Sequence, residues 1–517
     1  MVNRQKDSLF ILIKALTKSE KRQFRLYTNR LGVNSEAKFM ALFNLLDKAG
    51  DYNEEAILKS GIVKKQQLSN LKAHLYRQIL VSLRLSPSHK NIRIQLREQL
   101  DFAVILYQKG LYKQSLRLLE KAKVLAVENE QKSIALEIVE FEKVIESQYI
   151  TRSISGRADQ LAVEAKELSR MNTVASKLSN LSLQLYGTML KSGYAKNDEE
   201  MQRVTNYFKA RMPDFDIGEL GFREKLWLYK ANLWHSFLTQ NFLSTYKNAT
   251  RWVELFYREP KMITQNPVWF LKGNHYLLES LFLMRHYSKF KTALYAFEET
   301  IGSPGFPKNE NNDALSFLHV YINKLNLHFL DGSFAQGLYL VDEIVEKIEV
   351  YKDRLDAHHI MLFYYKIACL YFGLGDHAQC IAFLEKIIDN KDLSMREDLM
   401  CFTRVLNLLA RYEAGLDENF ERYLKSTYKF LIKMNELHEV QREMIRFLRN
   451  LDLGKVLPLQ LKAEFEKLHT RLKIYEDHPY EKRAFMYLDV ISWLESKIED
   501  RPVGDIITEK AKLLGRD

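Results

Sequence analysis

Thirteen histidines, three cysteines and 66 carboxylates are the side chains with which this 517-residue chain would do acid–base, nucleophilic or metal chemistry. No histidines stand in a His-Glu-x-x-His arrangement, and the one close pair, His358 and His359, is adjacent. Neighbouring residues on a helix point about 100° apart, which is poor geometry for sharing one metal ion. Cys369, Cys380 and Cys401 are odd in number and widely spaced, so they form neither a disulfide framework nor a zinc pattern. That usage fits a reducing compartment. Gly373-Leu374-Gly375-Asp376-His377-Ala378 spells a dinucleotide-type glycine fingerprint. Helical patterns flank it on both sides and no strand precedes it, so it reads as a turn between helices. There is no Walker loop and no Gly-x-Ser-x-Gly elbow. Each histidine reads as surface or packing, and carboxylates are common on any helical surface. No catalytic, cofactor-binding or metal-binding residue is therefore assigned, and the expectation is a protein that is not an enzyme. Trp227, Trp234, Trp252 and Trp269 fall close together among many Tyr and Phe, which suits either an aromatic groove or the packing seam of helices.

The elements that would position these residues are helices. Hydrophobic residues make up 46% and charged residues 28%, the balance of a folded, soluble chain. Glycine and proline total only 29, too few for the turns of an all-β protein. Apolar residues recur three and four apart nearly throughout, and glycine interrupts the pattern at intervals. In Phe102–Ala122 the pattern runs, stops at Gly110 and resumes, which predicts a helix, a tight turn and a second helix. The same arrangement returns about Asp331-Gly332, Gly375 and Gly415. Turns are expected near Gly110, Gly156, Gly193, Gln240, Ser288, Gly332, Gly375, Gly415 and Gly454, on average 43 residues apart. The loop 302–313 and the stretch 212–220 read as plain connections. The fold class expected is all-α, with 91–500 as a row of about eight to nine helical hairpins and 501–517 as a C-terminal tail.

Several of these hairpins resemble the tetratricopeptide repeat (TPR). Ala103, Gly110, Tyr112, Ser115 and Leu119 occupy its small, turn, aromatic, small and bulky positions, as do Ala368, Gly375, His377, Cys380 and Leu384. Gly332, Phe334, Gly337 and Val341 form a third set, and Phe290, Ala293 and Phe297 a fourth. The spacing is longer than the roughly 34 residues of the standard repeat, so the chain is TPR-like. The resemblance implies an α-solenoid that binds a protein or peptide in its concave groove. Some members grip a peptide carboxylate with Asn and Lys on successive first helices. Asn326 and Lys366 stand at such places here, while Leu100, Val405 and Leu409 replace other members of that clamp. The layout is also similar to uncharacterised bacterial TPR-like proteins.

Residues 1–90 differ from the rest. Net charge is +11, and residues 1–100, with 19 basic and 8 acidic side chains, carry all of it. Short helices are expected near 8–16, 18–30, 36–48, 53–60 and 65–85. Thr17-Lys18-Ser19-Glu20 forms a capping box, and Asp51–Glu54 a similar start. The last two helices resemble a helix-turn-helix. Leu68, Leu71, Leu75 and Ile79 would be buried, leaving Lys64, Lys65, Gln66, Ser69, Asn70 and Arg77 to face a nucleic acid. The buried stripe begins one place later than in the usual motif, where this chain has Gln67. The competing reading makes this region an N-terminal cap of the hairpin row. No apolar run is long enough for a membrane span or a signal peptide, so a cytoplasmic location and no membrane partner are expected. Two functions remain: a protein- or peptide-binding scaffold, and a nucleic-acid-binding regulator whose repeats sense a ligand or form homo-oligomers.

Overall fold

The computed structural model describes residues 7–30, 36–85, 91–148, 156–390, 397–415, 419–434, 439–452, 460–476, 478, 480, 481, 485 and 489–514. Among these residues the chain is all-helical, without strands, and its helices pack largely on their sequence neighbours. It divides into two compact units, 1–162 and 163–517.

The first unit opens with α1 (Ser8–Ala15), α2 (Lys18–Asn29), α3 (Glu36–Lys48), α4 (Glu54–Lys59) and α5 (Lys65–Arg84). The helix starts are set by short polar side chains. Thr17 and Glu20 satisfy each other's backbone amides in a capping box. At α4 the cap is Asn53, whose side chain accepts from the Ala56 amide at 3.0 Å, rather than Asp51. Leu9, Phe24, Phe43, Leu68, Leu75 and Ile79 belong to one hydrophobic core confined to residues 9–83. After it come α6 (Ile92–Gln108), α7 (Tyr112–Glu128) and α8 (Lys132–Glu146), packed in sequence. Ala103 and Ser115 are both fully buried, and the Ser115 hydroxyl donates to the Ala103 carbonyl at 2.7 Å. Small residues at this crossing let two helix backbones approach closely.

Helix α9 (Ala158–Ser192) runs for 35 residues, and the division between the units falls inside it. The second unit continues with α10 (Asp198–Arg211), α11 (Phe222–Leu238), α12 (Phe242–Arg258), α13 (Lys261–Gln265), α14 (Pro267–Leu283) and α15 (Tyr287–Gly302). Then follow α16 (Glu310–Asp331), α17 (Phe334–Leu338), α18 (Val341–Tyr351), α19 (Ala357–Leu374), α20 (His377–Ile388), α21 (Glu397–Glu413), α22 (Phe420–Lys433), α23 (Glu439–Asp452), α24 (Leu461–Lys473), α25 (Val490–Glu499) and α26 (Val503–Leu514). Helix α11 packs on α12, α14 on α15, α19 on α20 and α21 on α22. The first helices of successive pairs also touch one another, α14 on α16, α16 on α19 and α19 on α21. Helix α26 returns to lie on α16 and α19.

The expected turns at Gly110, Gln240, Gly332, Gly375 and Gly415 are present with positive φ. Two differences are instructive. The turn expected near Ser288 is made by Arg285 (φ 55°) and His286, and Glu130 (φ 56°) makes a turn that no glycine marks. Gly156 and Gly193 also take positive φ, but between them runs one unbroken helix where the repeat spacing implied two, because nothing in 158–192 supplies a stop except the mid-helix Gly187. The joint at Ser86–His89, Gly32, the turn near Gly454 and the residues after 514 lie outside the described residues.

Candidate functional site

A buried polar string inside the second unit crosses α14, α16 and α19. The Lys366 ammonium donates to Asn326 Oδ1 at 2.6 Å. Asn326 Nδ2 donates to Asn323 Oδ1 at 3.2 Å, and Asn323 Nδ2 faces His275 Nδ1 at 3.4 Å. Asn323 Nδ2 also donates to the His319 carbonyl at 2.7 Å, which leaves no polar atom of that buried amide unmatched. On its far side, His275 Nε2 lies 3.7 Å from Glu279. The string has a direction. An amide N–H aimed at His275 Nδ1 requires that nitrogen to accept, so the ring is neutral and carries its proton on Nε2.

Burial enforces that state. It lowers the His275 pKa to about 3, helped by His359, Lys366 and Lys272 nearby. His319, 5% exposed, stacks on His275 at 4.6 Å between ring centroids, and the same desolvation holds it well below the ordinary histidine range. Both ring nitrogens of His319 lack a hydrogen-bond partner among the described residues. Lys366 is 8% exposed and its pKa falls to about 8, again chiefly through desolvation. Its ammonium lies 5.5 Å from the ring centroids of both Phe282 and Phe329. Those ring faces and one neutral amide replace the water it has lost.

The string continues into a cationic and aromatic strip. Lys230 on α11 sits 4.6 Å from the Trp227 ring and 4.1 Å from Trp269, and Lys272 on α14 sits 5.9 Å from Trp269. Burial and the charge on Lys272 lower the Lys230 pKa to about 8. Neither Lys230, Lys272 nor Lys366 forms an ion pair with a carboxylate among the described residues. Trp227 and Trp269 meet edge to face at 5.3 Å. Trp252 and Trp234 instead belong to the core, at 0% and 6% exposure. A β-carbon on Gly273 would fall 2.9 Å from the Trp252 indole, so glycine is what lets α14 pass over that ring. The aromatic stretch thus divides into two seam residues and two that face a strip of lysines.

Asn326 and Lys366, the two residues singled out for a peptide groove, are therefore brought together. They hold each other in a buried contact, at 4% and 8% exposure. The sequence reading passed over His275, His319, Asn323, Lys230 and Lys272. A signal existed: His319, Asn323 and Asn326 recur at four and three residues on one face of a helix that is otherwise apolar there.

In the first unit, Lys64, Lys65, Gln66, Ser69, Asn70 and Arg77 are all exposed, on the side of α5 away from buried Leu68, Leu75 and Ile79. Their side chains make no hydrogen bond or ion pair with other described residues. Gln67 is exposed, and the buried stripe begins at Leu68. The described residues contain no cluster of three metal-ligating side chains, and none of their helices is long and apolar enough to cross a membrane. Comparison with protein-family models, with curated proteins and with solved structures finds no match to this chain.

Proposed function

We propose that the chain is a non-enzymatic, TPR-like binding module, and that the first helices of its successive pairs form a groove for an extended protein segment rich in acidic and aromatic residues. The observation that carries this reading is the strip of Lys230, Lys272 and Lys366, held partly or fully out of water on three helices and in no ion pair among the described residues, with only the charge of nearby Glu279 favouring the Lys366 ammonium. Cations in that condition are costly until an anion is supplied, and an acidic segment supplies it. Trp227 and Trp269 give such a segment an apolar contact of the kind that dominates peptide binding energy.

The test is fluorescence anisotropy of the full-length protein with two labelled peptides, one alternating Glu with Tyr and Trp, the other with Lys in place of Glu. The acidic peptide binds, and it weakens as salt rises. Lys230→Glu together with Lys272→Glu reduces its affinity by tenfold or more, about 1.4 kcal/mol. Equal affinity for the two peptides, or no loss in the double variant, refutes the reading.

A second reading rests on the free basic face of α5. Six exposed polar side chains without internal partners, in the part of the sequence that holds the whole net charge, suit the phosphate backbone of a nucleic acid. A gel shift of the full chain with duplex DNA and with RNA at low salt separates the two. Binding that disappears in Lys65→Glu with Arg77→Glu, while the peptide site is unaffected, selects the nucleic-acid reading.

A further inference from the structure

The C-terminal pair α25–α26 lies against the turn ends of three earlier helical pairs, and the two halves of that contact differ. One half is closely packed. The Thr508 hydroxyl is 2.8 Å from the Asp331 carbonyl and 2.8 Å from its own Gly504 carbonyl. Gly332 lies so near Gly504 that a β-carbon there would fall 2.4 Å from the Gly504 oxygen. The other half borders a partly open cavity of about 480 Å³. Its wall comes from the ends of α14, α16 and α19 and from the inner side of the C-terminal pair. Phe282, Phe329, Phe372, Trp493, Val503 and Ile507 give it a mainly apolar lining.

The charged groups at this wall are few, two cations and two carboxylates. Arg285 and Lys510 both line it, with Asp489 and Glu476. Glu476 is matched by Lys473 at 3.0 Å. Asp489 faces Arg285 at 3.3 Å and accepts from the Ser492 amide and hydroxyl at 3.0 and 2.9 Å. Burial opposes its ionisation, but Arg285, Lys510 and these bonds outweigh burial and hold the carboxyl below its ordinary range. Lys510 pairs with Glu495 and donates to the Ser492 hydroxyl at 2.9 Å. Arg285 thus meets its carboxylate at ion-pair distance, on a side chain that is 38% exposed and donates no hydrogen bond to another described residue. The remaining guanidinium donors are left for an anionic group.

We infer that this cavity is a binding site for a single-chain amphiphilic carboxylate of the fatty-acid class. The volume falls within the roughly 300–1,000 Å³ of small-molecule pockets. At about 30 Å³ for each water-sized group it corresponds to roughly sixteen groups, the bulk of one long acyl chain. A mixed lining of Phe, Leu, Met, Val and Ile conforms to a flexible chain, and Arg285 is placed to receive the head. The bound chain joins the C-terminal pair to three earlier pairs, so it stabilises that contact by mass action. None of the lysines of the acidic-peptide strip lines this cavity, although Phe282 and Phe329, which flank Lys366, belong to its wall.

The experiment is titration of the delipidated full-length protein with cis-parinaric acid, followed by its fluorescence, and displacement by oleate and by oleyl alcohol. The expected result is saturable binding, displaced at least about tenfold more effectively by oleate than by the neutral alcohol. Ile507→Trp and Ala511→Phe, each adding bulk within the cavity, lower affinity by tenfold or more, while far-UV circular dichroism shows unchanged helix content. The pair guards against one variant failing to fold. Absence of saturable binding, equal displacement by acid and alcohol, or full affinity in both folded variants overturns the proposal.

Discussion

Replacing Lys366 by methionine removes a buried ammonium and keeps an unbranched side chain of similar length. The pKa of Lys366 is lowered from 10.5 to about 8, with burial as the main cause. At 1.36 kcal/mol per unit, the folded protein gives up about 3 kcal/mol at pH 7 by keeping this group charged. Methionine recovers that cost but leaves Asn326 Oδ1 without its donor, a loss of about 1–3 kcal/mol. At pH 7 the variant is therefore as stable as the wild type or more stable, by about 0–2 kcal/mol. The pH dependence is the sharper quantity. Between pH 8 and 10.5 the unfolded chain still holds a proton that the folded chain has released, so wild-type stability climbs with pH by up to about 1.4 kcal/mol per unit. The variant lacks that climb. Its advantage over wild type thus shrinks by about 2 kcal/mol between pH 8 and 9.5. Urea unfolding followed by tryptophan fluorescence measures this. All five tryptophans lie beyond residue 162, so the signal belongs to the second unit. A stability difference that stays constant across this pH range would refute the claim that the ammonium is desolvated by the fold.

Two further outcomes follow from the same geometry. His275 and His319 are neutral in the fold but ordinary histidines when unfolded, so each draws stability down as pH falls below about 6.5, by up to about 1.4 kcal/mol per unit. His319→Phe keeps the ring stack and removes one of the two contributions. Thermal melts between pH 4.5 and 7 should show a shallower acid limb, and an unchanged limb counts against the buried-neutral state. Gly332→Ala combines a left-handed backbone (φ 73°), costing about 1–2 kcal/mol for a residue with a β-carbon, with contact against the Gly504 oxygen. Hydrogen exchange in 503–514 should accelerate by tenfold or more, and exchange at the wild-type rate would show that the close contact does not hold α26 in place.

Much of the architecture was legible because it depends on local rules. The five helices of the N-terminal region fall within a residue or so of their expected limits, since capping side chains such as Thr17 mark their starts and Gly61 lies just past the end of α4. Gly110, Gly332 and Gly375 adopt the left-handed backbone that their positions after apolar runs implied. Arg285 and Glu130 escaped notice because tertiary packing places ordinary residues there in a conformation they rarely take. Helix α9 differs for the opposite reason: the turns expected at Gly156 and Gly193 bound it, but the spacing implied two helices between them, with no break in the sequence to separate them. The polar string was only half visible. Asn326 and Lys366 drew attention by position, but burial makes the His275–His319 stack unusual, and burial is a property of three helices together. The cavity was wholly hidden, because its lining comes from elements more than two hundred residues apart.

The directed string from Lys366 to His275 has a structural consequence of its own. Leucine and phenylalanine seams give neighbouring helices much the same contact after a slide of one turn, about 5.4 Å. Directional donors and acceptors do not. Moving α16 by one turn would strand a buried ammonium and two buried amides, each at a cost of about 1–3 kcal/mol or more, and unpair a half-buried imidazole. The string therefore acts as a vernier: it fixes the axial offset of three adjacent rods that greasy surfaces alone would leave ambiguous.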